Sequence, residues 1–385
     1  MTAYQGIVLS GGGSKGPYAL GVLLALRKYR QVRDLKVSLF YCGTSVGALN
    51  ATLAAQGDLD NLSNLYASLH TKEIIGRKKS TVSKLKIGWL ANESPFSYFS
   101  NEALAKTIKK YARFDALEGG HLLVCATNFL SGTLETFYVS ALLDEFISHD
   151  QNQPMESRRL RQYHRISNQE QLVEALLASA AIPFFFPPIT INNELYVDGG
   201  IGNNTALRQA AYFCRYLSRV KSIVAEPTIC ILNDPRRNRI ANTPDSLKVF
   251  SLIQRTIDIF QNELVRDSLL AWERINHEVS FADEKIAELS AIIDATNGLS
   301  LTTVQHLKNE VARVVRQTNA VAPRLKLKVV QVRPSSELEV KDILTFDPLV
   351  AVRLKRQGIE DCLKELHALN EITSQELGNW PNEIN

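Results

Sequence analysis

The chain has 385 residues, 45% of them hydrophobic and 22% charged, with a formal net charge of +4. It can bury a substantial core in one to three domains, and so mild a charge gives no case for a nucleic-acid polymer as partner while leaving anionic membrane surfaces open. Five scattered cysteines (Cys42, Cys125, Cys214, Cys230, Cys362) sit mostly in apolar segments without metal-ligand spacing, which predicts reduced core residues in a cytoplasmic protein.

The opening residues pass almost directly into an apolar strand, which predicts no signal peptide. No apolar run approaches the roughly 18 residues of a membrane span, so bilayer contact is expected to be peripheral. Residues 6–10 read as that first strand. Gly11-Gly12-Gly13-Ser14-Lys15-Gly16 follows, then an apolar helix from about Tyr18 to Leu26. A glycine-rich turn between strand and helix exposes backbone N–H groups and makes an anion site. Gly11-x-Gly13-x-x-Gly16 formally fits a dinucleotide fingerprint, yet the next strand ends without the ribose-binding carboxylate; Lys15 is followed by Gly16, so a Walker loop fails too. The remaining reading is an oxyanion hole formed by Gly12, Gly13 and neighbouring amides.

The next strand, 37–42, runs into Gly43-Thr44-Ser45-Val46-Gly47 and then a helix-like stretch from Ala48 to Leu53. Gly-x-Ser-x-Gly between strand and helix lifts a serine hydroxyl onto a sharp turn, with the helix N-terminus directed at charge developing beside it. Ser45 is therefore the candidate nucleophile, and an ordinary glycine-rich turn is the alternative. Further strands are expected at 121–127, 134–139, 194–197, 228–232 and 326–333, and the strand–helix alternation of the front half predicts a largely parallel α/β sheet. Residues 71–100 and 140–170 read as polar, irregular insertions around the mouth of the site. In the first, Arg77, Lys78, Lys79, Lys84 and Lys86 precede Trp89, Phe96, Tyr98 and Phe99; in the second, Arg158, Arg159, Arg161 and Arg165 cluster. Each is either a lipid- or phosphate-facing patch or a solvated charge cluster. Apolar spacings of three and four predict helices over about 244–276 and 300–318, taken together as a helical insertion before the last strand.

A nucleophile needs a base. None of the seven histidines sits in a glycine-marked loop after a plausible strand. The better candidate is Asp198, where an apolar strand ends in Asp198-Gly199-Gly200, although Asp-Gly also suits a hairpin turn.

The ordered motifs Ser10–Gly16, Gly43–Gly47 and Asp198-Gly199-Gly200 resemble the patatin-like phospholipase family. The segment from Ala178 to Pro183 with Phe186-Pro187-Pro188 is similar to the stretch that family carries before its Asp-Gly-Gly. Leu325–Pro334 and Asp347–Leu366 resemble its closing strand and helix. The likeness spans most of the chain, strongest over 6–55 and 176–206, and implies one catalytic domain over 1–385 with its insertion at about 240–320. It implies a three-layer α/β/α sandwich related to α/β-hydrolases, with a Ser–Asp dyad, no catalytic histidine, and no metal or other cofactor. Carried over by motif, Ser45 is the nucleophile and Asp198 the general base. Gly11, Gly12, Gly13 and Ser14 line the oxyanion hole, supported by Lys15, Gly16, Gly43, Gly47, Gly199 and Gly200. The expected function is hydrolysis of fatty-acyl esters of glycerophospholipids, of phospholipase A or lysophospholipase type, at a peripheral membrane surface. A thioesterase or carboxylesterase with the same dyad is one alternative. Another is a membrane-degrading effector gated by a small-molecule or protein activator, and a nucleotide-binding protein is the alternative from a different class.

Overall fold

The computed structural model describes residues 3–77, 97–152, 162–235, 249–296, 298–318 and 328–384. Lys78 to Phe96 of the basic–aromatic segment, and Arg158, Arg159 and Arg161, lie outside these residues.

The strands are β1 (Ala3–Leu9), β2 (Val37–Thr44), the short pair β3 (Gly76–Arg77) and β4 (Phe99–Ser100), β5 (Leu122–Asn128), β6 (Leu134–Val139), β7 (Gln162–Arg165), β8 (Ile189–Ile191), β9 (Glu194–Asp198), β10 (Ala225–Ile231) and β11 (Val329–Val332). The helices are α1 (Gly16–Val32), α2 (Val46–Ala55), α3 (Leu59–Ser68), α4 (Glu102–Tyr111), α5 (Ala141–Gln151), α6 (Gln169–Ser179), α7 (Leu207–Arg219), α8 (Val249–Ala295), α9 (Leu301–Thr318), α10 (Pro348–Ala368) and α11 (Ser374–Glu383). The main sheet runs β11-β10-β1-β2-β5-β6-β7, and β9 joins the edge of β5 with β8 beyond it. From β11 to β5 all neighbours are parallel; β6 turns back antiparallel on β5, and β7 is parallel to β6.

The strands are apolar on both faces because both faces are covered, as parallel sheets require. Ile7, Leu9, Leu122, Val124 and Ala126 pack under α1, α2, α6 and α10. The alternate residues Val8, Phe40, Cys42, Leu123 and Cys125 pack against α5, α7 and the near half of α8. The result is a three-layer α/β/α sandwich around a mostly parallel sheet. All five cysteines are buried and unpaired.

Two expected polar insertions carry regular structure. Within 140–170, α5 buries Leu143, Phe146 and Ile147, and β7 extends the sheet edge with Arg165 ion-paired to Asp144 at 3.1 Å. Within 71–100, β3 and β4 pair antiparallel. The first helix of the pair before β11 runs to Ala295, well past the expected end near residue 276, because Val279 and Ala282 pack with Ile275 and Val315 of α9.

Helices α1 and α10 cross at backbone contact. A Cβ on Gly358 would lie 2.1 Å from the Tyr18 carbonyl oxygen, and one on Gly21 would lie 1.9 Å from that of Lys355. Rigid backbone stands on the opposing side of each contact, so a methyl group there forces the helices apart. Gly358→Ala is expected to lower stability by about 1–3 kcal/mol. The measurement is urea unfolding, with a lower midpoint and an unchanged m-value.

Candidate active site

Strand β5 brings the two chemical residues together. On one edge it receives β2, whose last residue, Thr44, lies opposite Cys125. Beyond that point the same edge is taken over by β9 running the other way, and its last residue, Asp198, lies opposite Ala126. Two strand ends thus meet head-on along one edge, and the residue after β2 is Ser45.

Ser45 sits at φ 56°, ψ −129°, a conformation that costs a non-glycine residue of order 1–3 kcal/mol and persists only where neighbours enforce it. Its N–H donates to Ser179 Oγ (2.9 Å), and Ser179 Oγ donates in turn to the Cys125 carbonyl (2.6 Å). The flanking glycines are sterically required. A Cβ on Gly47 would stand 2.3 Å from the Leu9 carbonyl oxygen, and one on Gly43 2.4 Å from that of Gly47. Helix α2 starts at Val46, so its free N-terminal amides face the serine.

Asp198 is wholly buried. Its Oδ1 accepts from the Gly200 N–H (2.7 Å), and its own N–H donates to the Ala181 carbonyl (2.9 Å). The Asp-Gly-Gly run is a cap on a short 3-10 turn, Gly199–Ile201, rather than a hairpin. Burial pushes the Asp198 carboxyl up to about 6; the Ser45 hydroxyl and the Gly200 amide oppose the shift by favouring the charged form. Oδ2 has no hydrogen-bond partner among the described residues.

The glycine loop lies against Ser45: a Cβ on Gly11 would come within 3.2 Å of the Ser45 Cβ. Its amides divide into two sets. The Gly11 N–H is held by Asn204, through Oδ1 (3.0 Å) and the carbonyl (3.3 Å), and the Ser14 N–H by the Ile343 carbonyl (2.8 Å). Of the four residues expected to line an oxyanion hole, Gly12 and Gly13 are thus the two whose amides have no acceptor among the described residues. Gly13 is at φ +54°, and a Cβ there would lie 2.1 Å from the Ile343 carbonyl oxygen. Asn233 anchors the loop from below, donating through Nδ2 to the Ser10 and Gly11 carbonyls (3.0 Å each). Lys15 is neither solvated nor free, since its Nζ pairs with Asp234 at 2.6 Å. Burial works to lower the Lys15 pKa, but Asp234, with Asp258 and Glu337 nearby, outweighs it and holds the ammonium above its usual value.

Ser45 and Gly13 open into a cavity of about 720 Å³, counting its mouth, walled by Val46, Leu49 and Leu53 of α2, Leu62 and Tyr66 of α3, and Leu104 and Ile108 of α4. Three polar side chains in the wall spend their hydrogen bonds on the protein. Asn50 donates to the Gly16 carbonyl and accepts from the Tyr66 hydroxyl, and Thr107 donates to the Glu73 carbonyl. The interior is thereby left to apolar matter.

The structure places Ser45, Asp198 and the glycine loop next to one another, with Gly16, Gly199 and Gly200 in the adjoining turns. No histidine bonds to Ser45 or Asp198 among the described residues; His121 Nδ1 meets Ser140 Oγ (2.5 Å), and His164 Nε2 meets Glu135 Oε2 (2.6 Å). Ser179, Asn204, Asn233 and Asp234 are the site residues to which sequence reasoning gave no role. Ser179 and Ala181 lie in the recognised Ala178–Pro183 segment, and the structure supplies its purpose, since one braces Ser45 and the other Asp198.

A carboxyl whose folded pKa exceeds its unfolded value costs the fold stability as pH rises between the two, here from about 4 to about 6. Asp198→Asn removes that cost. The variant is expected to be more stable than wild type above pH 6, by up to about 3 kcal/mol for a shift of about two units, with the gain fading below pH 4. Denaturant unfolding across this range measures it.

Residues 7–211 match the family model described as patatin-like phospholipase. A probable lipid hydrolase, 463L, of Invertebrate iridescent virus 6 is 25% identical over 239 residues, covering 59% of this chain and 70% of the viral protein. The crystal structure of VipD from Legionella pneumophila matches 94% of this chain and 67% of its own at 14% identity and a TM-score of 0.39. With more than half of its length matched by the family model, the strand-to-helix serine and the Asp-Gly-Gly turn falling inside the matched region, the chain belongs to the patatin-like phospholipase family of lipid hydrolases.

Proposed function

We propose that this protein is a serine-dependent lipid acyl hydrolase of phospholipase A or lysophospholipase type, cleaving glycerophospholipids through a Ser45–Asp198 dyad. The observation that carries the reading is the position of Ser45: a strained, braced serine beside a buried carboxylate, lining a mostly apolar cavity in which Asn50, Tyr66 and Thr107 bond to the protein. An acyl chain fills such a cavity and leaves its ester carbonyl at the serine.

In the first step Ser45 Oγ attacks the carbonyl carbon and its proton passes to Asp198. The tetrahedral oxyanion takes hydrogen bonds from the Gly12 and Gly13 amides, a contribution of roughly 2.7–4 kcal/mol per donor in comparable sites. Collapse expels the alcohol, which recovers the proton from Asp198, and water then releases the fatty acid by the reverse sequence. A carboxyl near pKa 6 is a stronger base than an exposed aspartate yet still ionised at neutral pH, so burial serves the chemistry at a cost to the fold.

We read the whole of 1–385 as one catalytic domain in which α8 and α9 form the insertion. Support comes from Ile257, which packs into one core, and from Val265 and Leu269, which pack into the other. Action at a lipid surface is supported by the exposed aromatic rings of Tyr98 and Phe184, joined by a Tyr98 N–H to Phe184 carbonyl bond (2.8 Å) one turn from cavity-lining Ile182 and Phe186. No helix among the described residues is long and apolar enough to cross a membrane.

Purified protein is expected to release fatty acid from mixed phospholipid vesicles, and Ser45→Ala to abolish the release. Asp198→Asn should lower kcat by about 10²–10⁴-fold while the fold persists. Near-wild-type turnover in the aspartate variant would reject the dyad. The rate should also fall tenfold per pH unit below about 6, as Asp198 takes up its proton.

A further inference from the structure

The cavity lined by Ser45 extends along α2. Val46, Leu49, Asn50 and Leu53 line it from α2 at i, i+3, i+4 and i+7, so one wall follows that helix away from the serine. At 1.5 Å per residue, the wall from Ser45 to Leu53 is about 12 Å long. Helix α4 forms the facing wall and ends level with the far end of α2, because Gln56 ties the two C-termini together. Its Nε2 donates to the Tyr111 carbonyl (3.2 Å), and its Oε1 accepts from the Arg113 N–H (3.0 Å). Gln169 holds the same stretch from the α6 side, donating to the Ala112 carbonyl (2.8 Å) and accepting from the Phe114 N–H (2.8 Å). Leu53, Tyr111 and Ala112 are therefore fixed at the end opposite Ser45, with Leu53 and Ala112 almost wholly buried.

A saturated chain with bonds near 1.5 Å advances about 1.25 Å per methylene, so a wall of about 12 Å holds about ten carbons. We infer that the cavity is a length-limited acyl site in which Leu53, Tyr111 and Ala112 are the specificity-determining stop, selecting acyl groups of about ten carbons. The inference deepens the hydrolase reading, on which it rests for what the chain is attached to, by assigning it medium-chain acyl esters. A chain up to that length is buried methylene by methylene. Each further carbon stays in water at the mouth or distorts a back wall held by four hydrogen bonds.

The test is calorimetric binding of butyrate, hexanoate, octanoate, decanoate, laurate and palmitate, each below its micelle threshold, to the full chain. Affinity is expected to rise about fourfold per methylene as far as decanoate and then level off. Ala112→Leu should move the break to shorter chains and Leu53→Ala to longer ones; if one variant fails to fold, the other carries the test. An unbroken rise through palmitate, no rise at all, or a break unmoved in a folded variant would overturn the stop. Binding needs no turnover, so Ser45→Ala should show the same break. A persistent break in a wild type that cleaves no decanoyl ester would overturn the hydrolase reading and leave the stop standing.

Discussion

Everything chemical in this protein depends on one edge of β5 being shared by two strands. Had β2 continued past Thr44, or had β9 paired elsewhere, Ser45 and Asp198 would face different parts of the fold. The head-on meeting imposes both special features of the site. A strand that stops against another strand's end must turn sharply, which forces Ser45 into its positive-φ conformation. The opposing strand delivers its carboxylate into the interior, where burial raises its pKa. Strain and a buried acid follow from one topological decision.

Both features oppose folding, and their compensation lies in distant segments. Ser179 braces the serine and Asn204 and Asn233 hold the glycine loop, while Ile343 fixes the loop's far side. The Lys15–Asp234 pair belongs with this scaffolding. A lysine in a glycine-rich anion loop invites the reading of a phosphate ligand, yet its charge is committed to an acid at the end of β10, with Asp258 of α8 close by. In the proposed mechanism the loop therefore meets negative charge with backbone dipoles, which cannot swing away, rather than with a mobile side chain.

Short-range patterns made the core of the fold legible from sequence. The apolar runs of β1, β2, β5 and β6 and the Gly-x-Ser-x-Gly turn are local, and each appears where its pattern places it. Asp198 stands out as the base candidate for its strand end and its glycines, while the Ser–Asp dyad as such comes from the family resemblance, because nothing local links residues so far apart. Asn204, Asn233 and Asp234 act only through contacts that span most of the chain, so they carried no signal. Strand β7, Gln162-Tyr163-His164-Arg165, escaped because an edge strand four residues long shows almost no apolar alternation. The length of α8 escaped for a related reason: among the described residues its outer half packs on α9, and a one-sided contact needs few apolar residues. Which amides of the glycine loop remain free also lay beyond sequence, since Gly11 and Ser14 lose theirs to residues 204 and 343.

The bracing of Ser45 by Ser179, and of the glycine loop by Ile343, has a bearing on biosynthesis. During translation the Gly-x-Ser-x-Gly turn emerges early, but the Ser179 hydroxyl that accepts from the Ser45 N–H, and Asp198, the proposed base, come later. The loop's last anchor arrives only when residue 343 has left the ribosome. Contacts of such long sequence separation form late and slowly. A nascent or truncated chain thus displays the nucleophile's sequence without the nucleophile's geometry. The order of synthesis delays assembly of the proposed site until the segment around residue 343 has emerged.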